Sequence, residues 1–294
     1  MRCLIIGADG SIGSALAEQL GHCGHDVVTT TRRAGAARSS IFLDLAGPLP
    51  DLPEADVAVI CAAMARLEEC RHHPELGRQV NVTAPLEVGR ALTRAGARVI
   101  LLSTAAVFDG NRAHVGENEE PMPRSAYGRL KAEAEARLLD LGPQVSVLRL
   151  TKVVKPNAGI LSQWIAELAG GKTVRALGDR RLSPLSIAHA VDAVTALIGN
   201  GEGGIYHVSG AADVSYADAA CFLARRIGLA CDRVEAVRAD GSEAELMPFT
   251  SLATGRLSRL GGFVPPEPLD VLGDVYGNEI DAVMQARESR AAAV

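Results

Sequence analysis

The chain has 294 residues, 48% hydrophobic and 22% charged, a balance that builds a folded core and excludes a disordered or low-complexity polymer. A formal net charge of -5 without a lysine or arginine block argues against nucleic acid or an anionic membrane surface as partner. The longest apolar run, Val57 to Ala65, is about half of what a spanning helix needs, and the first apolar segment runs directly into a glycine turn, so a cytoplasmic protein is expected.

Cys3-Leu4-Ile5-Ile6 reads as a buried strand and Ala15 to Leu20 as a helix, with Gly7-Ala8-Asp9-Gly10-Ser11-Ile12-Gly13 between them. Glycine there permits a sharp turn, close approach of a pyrophosphate and tight packing of helix on strand, while the first helical amides favour an anion. A dinucleotide is the ligand this turn predicts. Asp26 to Thr31 is a second, β-branched strand that ends in Arg32-Arg33. A carboxylate at that end suits a ribose 2′-hydroxyl, whereas arginine suits a 2′-phosphate, so NADP is favoured over NAD. Ser40 to Leu43 is a short third strand followed by Asp44 and Leu45, where Asp44 either meets the adenine amino group or caps a turn.

Ala55 to Ala63 is a fourth apolar strand, and the small residues at Cys61-Ala62-Ala63 let the backbone approach a cofactor. Glu68 to Pro74 gathers Cys70, His72 and His73, but adjacent histidines on a helix point apart, so an exposed helix junction and no metal are expected. Glu75 to Ala95 has the pattern of one long amphipathic helix carrying Asn81. Arg98 to Leu102 is the clearest central strand and ends in Ser103-Thr104, on the same sheet edge as the glycine turn. Ser125 to Glu133 forms a helix on which Tyr127 and Lys131, four apart, share a face. Val145 to Leu150 is expected to close the sheet.

From Thr151 the strand and helix alternation loosens, as for a smaller lobe. Lys152, Lys155, Arg175, Arg180 and Arg181 are its candidates for holding a diphosphate or carboxylate. The single Trp164, in a helix from about Gly159 to Ala169, is expected in the core. Ile187 to Ile198 reads as a helix returning to the first sheet, Ser215 to Ile227 as another, and Asp240 to Pro268 as irregular. The six cysteines contain no CxxC pair and are expected to be buried and reduced.

Gly7, Gly10 and Gly13, then Ser103-Thr104 at a strand end, then Tyr127-x-x-x-Lys131 resemble the extended short-chain dehydrogenase/reductase family. Within it the likeness is to sugar-nucleotide reductases of the dTDP-4-dehydrorhamnose type. Pro74-Glu75-Leu76, Val80-Asn81, Val107-Phe108-Asp109-Gly110, Leu148-Arg149 and Gly204 to Gly210 extend it. The resemblance implies an α/β fold: a Rossmann-type doubly wound parallel sheet (1–150) and a smaller C-terminal α/β substrate lobe (151–294), interleaved around 187–210. It implies Thr104, Tyr127 and Lys131 as catalytic residues, Tyr127 supplying a proton to the alkoxide formed by hydride transfer and Lys131 favouring the phenolate. Cofactor contacts would come from Gly7, Asp9, Gly10, Ser11, Ile12, Gly13, Arg32, Arg33, Asp44, Leu45, Cys61, Ala62, Ala63 and Asn81, with Tyr127 and Lys131.

Ala105-Ala106 departs from the acidic and tyrosine pair of the rhamnose type, and Lys152 falls near its tryptophan. Substrate contacts are expected from Ala105, Lys152 and Arg181. The implied function is NADP(H)-dependent reduction of a keto group on a sugar nucleotide or similar small substrate, with a homodimer possible. Its alternatives are an epimerase with tightly held NAD and a non-catalytic NADP-binding regulatory subunit.

Overall fold

The computed structural model describes residues 1–33, 40–200, 202–240 and 246–292. The first half alternates strand and helix: β1 (Arg2–Ile6), α1 (Ser11–His22), β2 (Asp26–Thr31), β3 (Ser40–Phe42), β4 (Val57–Ile60), α2 (Leu67–His72), α3 (Pro74–Arg78), α4 (Ala84–Arg94), β5 (Arg98–Thr104), α5 (Ala126–Leu139) and β6 (Val145–Leu150). Then come β7 (Lys152–Val153), α6 (Gly159–Ala169), β8 (Val174–Leu177), β9 (Arg181–Leu182), β10 (Pro184–Leu185), α7 (Ile187–Asn200) and β11 (Gly204–Val208). The chain finishes with β12 (Val214–Ser215), α8 (Tyr216–Arg226), β13 (Val234–Val237), α9 (Gly255–Gly261) and α10 (Pro268–Ala292).

Seven strands form one sheet in the order β11-β6-β5-β4-β1-β2-β3, and every pairing in it is parallel. Parallel strands need both faces covered, which explains the unbroken apolar runs of β1 and β4. Leu16, Leu20, Val191, Val194 and Leu197 cover one face from α1 and α7, and Val88, Leu92, Ala134 and Leu138 cover the other from α4 and α5. The doubly wound fold is therefore present. Strand order reverses between β1 and β4, and ligands of such sheets bind in the crevice at that point.

A separate core holds the second half together. Leu161, Trp164, Val174, Leu223, Leu272 and Tyr276 pack there, with Trp164 5% exposed. Among the described residues no helix is long and apolar enough to cross a membrane.

Four expectations need correction. The helix expected over 75–95 is interrupted, because Gln79–Thr83 adopts a π-helical turn ahead of α4. Pro85 has no N–H to give the carbonyl four residues back, so the regular register cannot run through it. The sheet closes at β11 instead of β6, since Gly204 to Val208 pairs along Ser146 to Leu150. Within 240–268, α9 forms, while 241–245 lie outside the described residues. Finally, the cysteines are neither all reduced nor all buried: Cys23 is exposed, and Cys221 is disulfide-bonded to Cys231. Cys221 lies on α8 and Cys231 on the turn that follows, which brings their Cα atoms to 5.1 Å, within bonding range.

Candidate active site

The glycine turn has the geometry its sequence requires. Gly7 takes φ +92°, and a Cβ on it would lie 2.7 Å from the Ala62 amide nitrogen. The Cys61 and Ala62 amides both donate to the Ile6 carbonyl, at 2.9 and 3.1 Å, which bends the chain off β4 against the turn. A Cβ on Gly13 would run into the Gly7 carbonyl. Asp9 points to β2: its carboxylate accepts from Thr31 Oγ1 at 3.0 Å and from the Arg32 amide at 2.9 Å. That amide, with Thr31 and Arg33, holds the carboxyl below its ordinary range. Arg33 Nε lies 3.8 Å from Asp9 and is otherwise exposed.

Three cavities that share lining residues follow the sheet edge. A cleft of about 800 Å³ is lined by Gly7, Asp9, Gly10, Arg32, Asp44 and Leu45, with Cys61, Ala62 and Ala63 on its inner wall. One of about 270 Å³ sits over Ser11, Ile12 and Gly13. Here Lys155 reaches in from beyond β7 and donates to Ser11 Oγ at 3.0 Å. The third, about 420 Å³, is lined by Thr104, Ala105, Tyr127, Lys152 and Arg181. Cys61 borders all three.

Local packing fixes Tyr127 beside Thr104. Ser125 caps α5 by accepting from the Gly128 amide at 3.0 Å, and Gly128 fits directly against the Ala106 carbonyl, where a Cβ would collide. Thr104 Oγ1 accepts from the Ala106 amide at 3.1 Å. Thr104 lines the third cavity. Burial pushes the Tyr127 phenol above its ordinary value of 10.0, with Cys70 and Glu135 adding to the shift, so the resting phenol keeps its proton.

Lys131 and Asn81 lie under the cavities and line none of them. Lys131 is 1% exposed and donates from Nζ to the Leu102 carbonyl at 2.7 Å. Burial lowers its ammonium pKa to about 8, opposed by Glu135 and Cys61. Asn81, in the π-helical turn, accepts from the Met64 amide at 2.9 Å and donates to the Met64 carbonyl at 3.0 Å, fixing the loop that follows Ala63. Arg181 stacks on the Phe249 ring at 4.6 Å, while Lys152 is exposed at the rim.

Behind this face runs a buried polar network that sequence reading did not find. Arg149 donates from Nε and Nη2 to one Glu135 oxygen at 3.0 and 2.7 Å, and Ser103 donates to the other. Arg149 Nη1 lies 3.3 Å from His207 Nε2, and His207 Nδ1 lies 3.2 Å from the Ala253 carbonyl. Burial, then Arg149, lowers the His207 pKa to about 4, so the ring is neutral, with Nδ1 donating to Ala253 and Nε2 accepting from Arg149. Glu135 lies four residues beyond Lys131, the signal that was available.

Residues 1–274 match the family model described as RmlD substrate binding domain. A dTDP-4-dehydrorhamnose reductase of Mycobacterium tuberculosis is 29% identical over 224 residues, 73% of this chain and 71% of the relative. A probable low-salt glycan biosynthesis reductase of Haloferax volcanii is 28% identical over 232 residues, 74% of this chain and 77% of the relative. The crystal structure of dTDP-4-dehydrorhamnose reductase from Bacillus anthracis, in complex with NADP, superposes with a TM-score of 0.78 at 20% identity, over 94% of this chain and 99% of the other. At that identity it shows a shared fold.

Proposed function

We propose, from the premise that this chain belongs to the RmlD substrate binding domain family, that it is an NADP(H)-dependent reductase of a keto group on a nucleotide-linked sugar. One observation carries the reading: Thr104 and Tyr127 line a cavity that meets the glycine-turn cleft at Cys61. The reductase names of its relatives support it. We read residues 1–150 as the dinucleotide-binding part and 151–294 as the substrate lobe, interleaved around 187–210.

The residues present fit a dinucleotide. Gly7 and Gly13 let the turn close tightly, since a Cβ would run into the Ala62 amide or the Gly7 carbonyl, and Gly10, Ser11, Ile12 and Gly13 at the start of α1 line the cleft beside it. Gly7, Gly10, Ser11, Ile12 and Gly13 would hold the pyrophosphate, Arg32 and Arg33 the 2′-phosphate, and Asp44 and Leu45 the adenine end. Ala62 and Ala63 would lie along the nicotinamide half. Bound there, NADPH supplies the hydride.

Thr104 donates its free hydroxyl proton to the substrate carbonyl and so orients it. As charge develops on that oxygen the hydrogen bond strengthens. Tyr127, whose phenol is protonated at rest, gives its proton to the same oxygen. Lys131 stands one turn away with its ammonium anchored to β5, stabilising the phenolate left behind.

The test is to titrate the protein with NADPH and with NADH by fluorescence, then to follow NADPH oxidation with dTDP-4-dehydrorhamnose. Tighter NADPH binding and ketone-dependent oxidation are expected. NADH preference, or no oxidation with this and other ketosugar nucleotides, would overturn the reading.

A further inference from the structure

Thr151 is the first residue after β6 and is 7% exposed. Its amide is satisfied, donating to the Val208 carbonyl of β11 at 3.2 Å. Its hydroxyl oxygen is buried and has no hydrogen-bond partner, a condition shared among the described residues only by Arg180 Nε. Of these two, only Thr151 lines the cavity that holds Thr104 and Tyr127.

An unpaired buried hydroxyl costs stability, and valine, of the same shape, would avoid the cost. A threonine in that place is explained by a polar atom that arrives with a ligand. Register shows which part of the ligand. Leu150 lies opposite Thr104 across the β5 and β6 pair, so Thr151 stands one residue further along the neighbouring strand. With strands about 4.8 Å apart and a rise of about 3.3 Å per residue, the two threonine Cα atoms are within about 6 Å. That is roughly the span of one pyranose ring. Lys152 and Arg181 also line the cavity, and among the described residues no carboxylate does.

We propose that Thr151 is a specificity-determining residue whose hydroxyl pairs with a ring hydroxyl of the ketosugar, beside the carbonyl that Thr104 and Tyr127 address. The assignment rests on the reductase reading above.

The experiment compares Thr151→Val and Thr151→Ser with the parent chain. Thermal melting of the ligand-free proteins needs no substrate: Thr151→Val is expected to melt at the same temperature or higher, and a fall of several degrees would show that the hydroxyl is used within the free protein and overturn the proposal. With NADPH and dTDP-4-dehydrorhamnose, Thr151→Val is expected to lower kcat/KM about tenfold, mostly through KM, with NADPH affinity unchanged and Thr151→Ser close to the parent. An unchanged kcat/KM in an active Thr151→Val protein would also overturn it. A parent chain that binds NADPH but neither binds nor reduces ketosugars fails the reductase reading, and the proposal with it.

Discussion

Lys131 donates its ammonium proton to the Leu102 carbonyl at 2.7 Å, joining the middle of α5 to β5 two residues before Thr104. Tyr127, Lys131 and Glu135 recur every four residues, so one face of α5 carries phenol, ammonium and carboxylate inward in that order. The site is thereby tied to the sheet.

Because Tyr127 is held protonated beside Thr104, replacing it should remove the proton and leave the cleft intact. Tyr127→Phe is expected to lower kcat by a factor on the order of 10² or more, with the NADPH Kd nearly unchanged. Steady-state kinetics and fluorescence titration check both halves. A variant that turns over like the parent would take Tyr127 out of the mechanism.

The Lys131 pKa of about 8 against 10.5 gives a signed pH dependence. Between those values the unfolded chain retains a proton that the folded chain has released, so this group makes folding more favourable as pH rises, by at most about 1.4 kcal/mol per unit. Below the folded value the cost of burying the ammonium is constant. Urea unfolding of the parent and Lys131→Met at about pH 7.5 and about pH 9.5 should show the parent gaining on the variant at the higher pH. A difference that stays flat would mean the ammonium is not desolvated.

Removing one member of the Arg149 and Glu135 pair leaves a buried charge uncompensated. Arg149→Met is expected to cost about 3–5 kcal/mol in denaturant unfolding. Arg149→Met with Glu135→Gln should cost less than the two single changes added together. Strict additivity would deny the coupling.

Gly13→Ala places a methyl group against the Gly7 carbonyl. The turn must shift, at a cost of about 1–3 kcal/mol. A lower melting temperature and weakened NADPH binding are expected together; a variant with parental affinity would show that the turn does not hold the pyrophosphate.

The parts of the fold that were legible in sequence are those where one residue type answers one local demand. Gly7 and Gly13 meet close backbone contacts, the run Val57 to Ile60 is a strand buried on both faces, and Thr104 follows the strongest central strand. What was missed depends on residues distant in the chain. Arg149 finds Glu135 and His207 only once three elements are packed, and Lys155 meets Ser11 across 144 positions. The π-helical turn at Asn81 was hidden by an amphipathic pattern that continues through Pro85. Thr151 gave no signal, because an unpaired hydroxyl is a property of its surroundings.

The last strand of the sheet arrives late in the chain, with α7 bringing β11 back beside β6. Expression of residues 1–150 alone would therefore leave β6 as a bare rim of unpaired amides and carbonyls, open to adhesion between copies. Truncation is a poor way to isolate the nucleotide half: a soluble fragment needs residues up to at least Val208, and so inherits part of the other half.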